Sequence, residues 1–254
     1  MLIYSIHALI QTGYPNEMLN NRKYFGNYFG IQSFRFTFAN ENLTFQINET
    51  IKIQLKMKEK IISKASDMFL KQGFKSITMD DIAGEMCISK KTIYKYFCNK
   101  ELLIEESTAA IHKEVHQIID SIIAKNYNAI EENFEIRKMF KEMFKSTDSS
   151  PIYQLKKHYP EIYEKVISRE TNECNTTFEQ NIKKGIQQGL YRENINIENY
   201  TRFYYHLIFT IKESTSSEKE AQKLELEILE YHIRAMATLA GIIELEKHLQ
   251  NYNL

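Results

Sequence analysis

The sequence predicts an all-α protein built from a small three-helix head and a larger helical body. Three observations predict it. Only 3 Pro and 8 Gly occur in 254 residues, so long helices can run unbroken. Apolar residues recur at helical spacing in one segment after another. Polar capping residues stand where those segments begin, and Gly or polar clusters stand where they end. A hydrophobic content of 43% is that of a globular chain, and the length admits one large or two small domains. The formal net charge is zero and the pI is near 7.1, so any nucleic-acid surface has to be a local patch.

Residues 1–56 differ from the rest, being rich in Asn, Phe, Tyr and Ile and poor in charge. Phe34, Phe36 and Phe38 alternate, as do Leu43, Phe45 and Ile47, with Ala39 to Asn42 between them. That pattern reads as a β-hairpin, which is marginal without something to pack on. Met57 stands directly before Lys58, Glu59 and Lys60. We expect Met57 to be the natural start and residues 1–56 to be a non-native or disordered extension. The opening MLIYSIHALI lacks a charged leading region and a clear cleavage site, so it does not read as a signal peptide. No apolar run reaches transmembrane length.

The head is expected over residues 57–115. Its first helix runs from about Lys58 to Gln72, with Ile61, Ala65, Met68 and Phe69 on one face. Gly73 suits the position after the helix end, and Phe74 folds back onto it. Thr78 then caps a second helix, with Asp81 three residues on as its capping-box partner. Cys87 and Ile88 interrupt the pattern, and Ser89 caps a third helix over about Lys90 to Phe97. That helix buries Ile93 and Phe97 and leaves Lys90, Lys91, Thr92, Tyr94, Lys95 and Tyr96 outside. Residues 86–100 hold four lysines (90, 91, 95 and 100) and no acid. Ile62, Phe69, Phe74, Ile82, Ile93, Phe97 and Leu103 are the expected core. Two helices joined by a tight turn, the second polar and basic, suit the major groove of DNA. Lysines and tyrosine hydroxyls around that helix can hold phosphates. An ordinary helical hairpin with a solvated lysine face is the plainer reading of the same residues.

The ordered run Thr78, Ile82-Ala83, Ile88-Ser89, Ile93-Tyr94, Tyr96-Phe97, Lys100 and Leu103 resembles the DNA-binding domain of TetR-type bacterial transcription regulators. The helix ending Phe69, Gly73 and Phe74 fits the same pattern, so the likeness covers residues 58–105 or so. It departs from the family at Cys87, where Gly is usual because the backbone bends sharply. A Cβ at a positive φ costs about 1 kcal/mol. The resemblance implies a helix-turn-helix head on a helical effector-binding and dimerisation body, here residues 116–254. It implies Thr78, Ser89, Lys90, Lys91, Thr92, Tyr94, Lys95, Tyr96 and Lys100 as DNA-binding residues. Lys100, Tyr94 and Tyr96 match phosphate-contacting positions, while Lys90, Lys91 and Thr92 lie in the first turn of the recognition helix.

Beyond the head, Asn99 caps a long helix to about Lys125. His112 and His116 are four apart on it, a metal-ligand spacing. There is no H-E-x-x-H and no third ligand nearby in sequence, so we expect a solvated or partly packed pair and no metal site. The chain stays helical from Tyr127, breaks at 146–151, and resumes as a short helix over Ile152 to Lys157. A long helix follows from Pro160 to Gln188, ended by Gly189, then one from Ile197 to Glu213. The last helix, from Glu218 to Leu249, carries a possible break near Gly241 and is apolar on more than one face. Leu229 and Met236 there are the expected dimer contacts. Phe134, Met139, Phe140, Met143 and Phe144, with Tyr153, His158, Tyr159, Phe178, Tyr204, Tyr205 and His206, are the aromatic- and Met-rich residues from which either a pocket or an ordinary core is built. No motif fixes the effector-pocket residues. The body has no nucleophile motif, phosphate loop or metal cluster, so no enzyme activity and no cofactor are expected. Cys87, Cys98 and Cys174 show no paired spacing, which fits a reducing cytoplasm.

These readings, with the resemblance, give a homodimeric, cytoplasmic, DNA-binding regulator. The expected partners are double-stranded DNA at a near-palindromic operator and an unknown small-molecule effector that releases a repressor. Control by a protein partner, or by oxidation of Cys87 or Cys98, is the alternative.

Overall fold

The computed structural model describes residues 36–147 and 149–252. It divides into two compact units, residues 1–54 and 55–254. Among the described residues there are ten helices and no strands, only two isolated β-bridges, Ser149 with Ser217 and Tyr191 with Ala237. No helix among them is long and apolar enough to cross a membrane.

Helix α1 spans Phe36–Gln72. The expected β-hairpin is therefore not formed over its described part, and the first helix begins well before Lys58. Phe34 lies outside the described residues. The physical reason is legible afterwards: no Gly or Pro occurs between Gly30 and Gly73. An alternating run with no partner sheet has nothing to pair with. Gly73 ends α1 at φ +91°, and the Phe74 ring returns to stack on Phe69 with centroids 5.5 Å apart.

The next two helices are short: α2 is Met79–Glu85 and α3 is Lys90–Tyr94. Both form because their ends are capped locally. Asp81 donates its N–H to the Thr78 hydroxyl at 3.2 Å, and Thr78 donates its own N–H to the Asp81 carboxylate at 2.8 Å. That reciprocal box satisfies two donors with no partner inside the helix. Those Thr78 hydrogen bonds also hold the Asp81 carboxyl below its usual pKa. The end of α2 closes with paired bonds, Cys87 N–H to the Gly84 carbonyl and Ile88 N–H to the Ala83 carbonyl, both 3.0 Å. This doubly bonded end demands a left-handed residue between them. Cys87 fills it at φ +54°, so the strain expected from the sequence is present. Helix α3 is shorter than expected. Residues 95–97 leave α-helical form and close as turns onto Thr92 and Ile93.

Helix α4, Lys100–Ile123, is capped by Asn99, whose side chain accepts from the Leu102 N–H at 2.8 Å. Its first turns complete the head core. Leu103 and Ile104 are fully buried with Ile61, Ala65, Phe69, Phe74, Ile82, Ile93 and Phe97. Ile62 is only partly buried, and Ile61, one residue earlier, takes the central place expected for it. This core is not confined to the head. Leu155 of α6 (Pro151–His158) and Ile162, Tyr163 and Val166 of α7 (Pro160–Gln187) belong to it. Gln154 adds a polar link, its side-chain oxygen accepting from the Phe74 N–H at 2.9 Å.

A second core lies in the body. It joins α5 (Ala129–Met143) and α7 to α8 (Ile197–Ser214), α9 (Glu218–Met236) and α10 (Leu239–Tyr252) through Ile130, Phe134, Ile182, Tyr204, Leu229, Ile233, Met236 and Leu245. Leu229 and Met236 are thus buried within their own subunit, at 2% and 0% exposure, and are not interface contacts. The break in the last helical stretch falls at Ala237 and Thr238, before Gly241. Thr238 caps α10, its hydroxyl accepting from the Gly241 N–H at 3.2 Å. Gly241 is needed for another reason: a Cβ there would meet the Leu190 carbonyl oxygen at 2.1 Å.

Two stability predictions follow from these sites. Cys87→Gly removes a Cβ from a left-handed position and should raise stability by about 1 kcal/mol, read as a higher denaturant midpoint. His232 is buried and stacked on Tyr204 at 4.2 Å, and burial lowers its pKa from 6.5 to about 3. Its folded value lies below its unfolded value, so the stability tied to its neutral form is present above pH 6.5 and lost as pH falls toward 3. Between pH 6.5 and 5 the loss should be about 2 kcal/mol. In acid titrations followed by circular dichroism, His232→Phe should flatten that limb.

Candidate functional site

The helix-turn-helix places its polar residues unequally. Ser89 and Thr92 pair at the start of α3: the Thr92 N–H donates to the Ser89 hydroxyl at 3.1 Å, and the two hydroxyls lie 2.8 Å apart. Thr92 is thereby oriented by its cap. Thr78 is exposed and engaged with Asp81, so its hydroxyl shapes the start of α2. Lys90 pairs with Asp80 at 2.6 Å across the two short helices, which raises its pKa. Lys91 and Lys95 are exposed and have no ion pair among the described residues. Tyr94 is 45% exposed, a large amount for an aromatic side chain. Tyr96 is partly buried against the head core. Lys100 is turned inward, donating to the Lys75 carbonyl at 3.1 Å and lying 5.8 Å from the Tyr159 ring centroid. Burial lowers its pKa.

The outward cation set is therefore Lys91 and Lys95, with Lys90 shared with Asp80 and Lys100 committed to its own chain. The uncapped charge and the Tyr94 hydroxyl lie on or beside one five-residue helix whose start is fixed by Ser89. That arrangement suits phosphate contacts flanking a short reading element. Cys87 and Cys98 are exposed thiols, and none of the three cysteines forms a disulfide.

A second feature was not legible in the sequence. A cavity of about 220 Å³ opens in the body. Its apolar wall comes from Ile111, Val115 and Ile119 of α4, Ile136 and Phe140 of α5, and Phe178, Tyr204 and Ile208 of α7 and α8. Of the aromatic- and Met-rich residues singled out in the sequence, Phe140, Phe144, Phe178 and Tyr204 line it. Tyr159 instead donates its hydroxyl to the Phe74 carbonyl at 3.3 Å. Charged groups also face the cavity. Arg137 and Lys212 each lie 3.7 Å from Glu225. Burial opposes the charge on Lys212, yet Glu225 and Glu218 outweigh it and its pKa is raised. His112 and His116 face the same space and are partly packed, the second of the two readings expected for them. Glu170 of α7 meets His112 at 2.5 Å, from 58 residues away. Only a fold could have joined them; the i, i+4 spacing of Glu170 and Cys174 was the sequence's faint sign.

The comparisons with known proteins agree with the head. The family model described as bacterial regulatory proteins, tetR family, matches residues 61–107. A negative transcriptional regulator of a biofilm operon in Staphylococcus aureus, IcaR, is 29% identical over 107 residues, which is 42% of this chain and 52% of that protein. The chain thus spans about half the length of that relative. YdeS, an HTH-type transcriptional regulator of Bacillus subtilis, is 28% identical over 170 residues, covering 62% of this chain and 81% of its own. Among solved structures, a transcriptional regulator from Cytophaga hutchinsonii superposes with TM-score 0.59 at 18% identity, over 71% of this chain and 98% of that one. A TetR-family regulator from Agrobacterium tumefaciens gives 0.58 at 11% identity, over 73% and 100%. These last two speak for the fold alone. The head thus matches the tetR family of bacterial regulatory proteins over residues 61–107, within a helical fold shared with solved regulators.

Proposed function

We propose that the protein is a homodimeric repressor that a small effector, bound in the body cavity, releases from a near-palindromic operator. One observation carries the reading. The same helix, α4, contributes Leu103 and Ile104 to the head core and Ile111, Val115 and Ile119 to the cavity wall. A ligand that favours one placement of α4 shifts the population of head placements with it. The negative sign follows the printed role of IcaR. In a two-fold dimer the two heads face equal half-sites, and only one head spacing fits them both.

The dimer surface is assigned to α8 and α9. Phe203 and Leu207 are 55% and 38% exposed on α8, and Tyr231 is 66% exposed on α9. Leu224, Ile228 and Ala235 continue the Tyr231 stripe at helical spacing and are half-buried. Two packed helices with one apolar face left over are suited to a four-helix contact with a second copy.

The first experiment is selection of bound genomic fragments, followed by operator affinity against salt. Lys91→Ala or Lys95→Ala should weaken all sequences alike and reduce the salt slope by about 0.9 per lost contact, about 2 per dimer. Thr92→Ala should cost about 1–3 kcal/mol and relax preference at one symmetric pair of positions. Lys100→Ala is a poorer probe, because it also removes the bond to Lys75. A change of base preference in the lysine variants, with the slope intact, would contradict this placement of α3.

Dimerisation has its own test. Phe203→Glu with Tyr231→Glu places two charges on surfaces that a single subunit already leaves exposed, so the fold should persist by circular dichroism. Sedimentation should show monomers with operator affinity strongly reduced. A surviving dimer would place the interface elsewhere. Met236→Glu, by contrast, should unfold the body, because Met236 is fully buried in it.

A further inference from the structure

We propose that His112, His116, Glu170 and Cys174 form a site for a divalent transition metal of the zinc, cobalt and nickel class, in the wall of the body cavity. The donors come from two facing helices, each as an i, i+4 pair: His112 and His116 on α4, Glu170 and Cys174 on α7. Such pairs project from one helix face one turn apart. All four line the cavity, which supplies an entry path.

The distances suit a tetrahedral ion. The donor atoms of His112, His116 and Glu170 lie within 4.8 Å of one another; Cys174 stands outside that set of three, and its thiol has to turn inward to complete it. His116 Nε2 is 3.7 Å from Glu170 Oε2, and Cys174 Sγ is 3.5 Å from the same oxygen. Tetrahedral bonds of about 2.0–2.3 Å put donor atoms roughly 3.3–3.7 Å apart. His112 Nδ1 and Glu170 Oε1 are closer, at 2.5 Å, and that contact opens by about 1 Å to admit the ion. The two imidazole rings are 4.4 Å apart and tilted by 52°, so they do not block each other by stacking flat.

The chemistry of the set selects the metal class. Two imidazoles, one carboxylate and one thiolate are borderline-soft donors, which suit zinc and its neighbours and disfavour magnesium and calcium. The carboxylate and thiolate together carry two negative charges, which a divalent ion neutralises in a site shielded from water. The His112, His116 and Glu170 side chains are 11%, 19% and 20% exposed. Cys174 loses its proton to solvent on binding, as thiol ligands do. The bound ion ties α4 to α7 beyond the head, so the inference names a class of ligand for the proposed effector site. Metal binding itself does not depend on the repressor reading.

The test uses the purified full chain and Co2+ as the probe. The expected result is one ion per chain, with the intense visible bands of tetrahedral cobalt and a near-ultraviolet thiolate band, both displaced by Zn2+ and untouched by Mg2+. Cys174→Ser should remove the thiolate band and keep the visible bands. His116→Ala and Glu170→Gln, with helical content unchanged, should each weaken binding by more than the 10–100-fold typical of losing a supporting residue. Absence of stoichiometric binding, a weak octahedral spectrum, or binding unaffected by His112→Ala with His116→Ala would overturn the site. Operator affinity is then measured with and without Zn2+. A shift in the native chain that His116→Ala abolishes supports the site as the effector site. Metal bound with operator affinity unchanged supports the site and removes metal as the effector. Release by another small molecule with no metal bound overturns the site and leaves the repressor reading standing.

Discussion

The structure depends on the stiffness of α4. A helix of 24 residues is about 36 Å long, and nothing in this one invites a bend, since it holds neither Pro nor Gly. Its beginning is locked into the head core through Leu103 and Ile104, and its later turns meet the cavity. A packed interior does not deform continuously. Displacement of one end of such a rod is therefore felt at the other. Gln154 and Tyr159 anchor the head a second time, through the Phe74 N–H and carbonyl. Head placement then follows from two attachments, one along α4 and one at the turn after α1, and a hinge needs both to be considered.

The cavity is polar in a way that an ordinary core is not. Arg137, Lys212, Glu218 and Glu225 face it together, as do His112, His116 and Glu170. Buried charges persist only when paired, because their desolvation is costly. Each of these groups has a counter-charge or a hydrogen-bond partner within the chain, so a ligand entering here exchanges existing contacts. Discrimination in such a site comes from leaving wrong ligands with broken pairs. Tyr204 ties the cavity to the second core, being T-shaped to Phe178 and stacked on His232. Repacking of the wall therefore reaches α9.

The head was legible because its instructions are local. Thr78, Ser89 and Asn99 cap helices within three residues of themselves, and each formed as the sequence implied. The strain at Cys87 was legible for the same reason. What failed were questions of partnership. Periodicity marked Met236 as apolar and facing something, but not whether its own subunit or another would cover it. Ile61 and Ile62 are adjacent, and a rotation of about 100° around the helix decided between them. Gly241 resembled a break, whereas the Leu190 carbonyl, 51 residues earlier in sequence, is what requires it. The alternating aromatics near the amino end mimicked strands, and only the lack of a breaker from residue 31 to 72 argued otherwise. The His112 and Glu170 pair needed the whole fold.

The Lys90 and Asp80 pair has a consequence for search along DNA. Phosphates attract a protein through cations that displace condensed counterions, and this attraction is blind to sequence. Lys90 sits at the front of α3 with its charge already balanced by Asp80 at 2.6 Å. It therefore adds little to the grip on arbitrary DNA. Exchange of Asp80 for a backbone or base partner is favourable only where the rest of the surface fits closely enough to hold Lys90 in place. On the proposed DNA-binding reading, the head would slide lightly over wrong sites and gain a cation at the right one, and the internal acid would sharpen the contrast between searching and stopping.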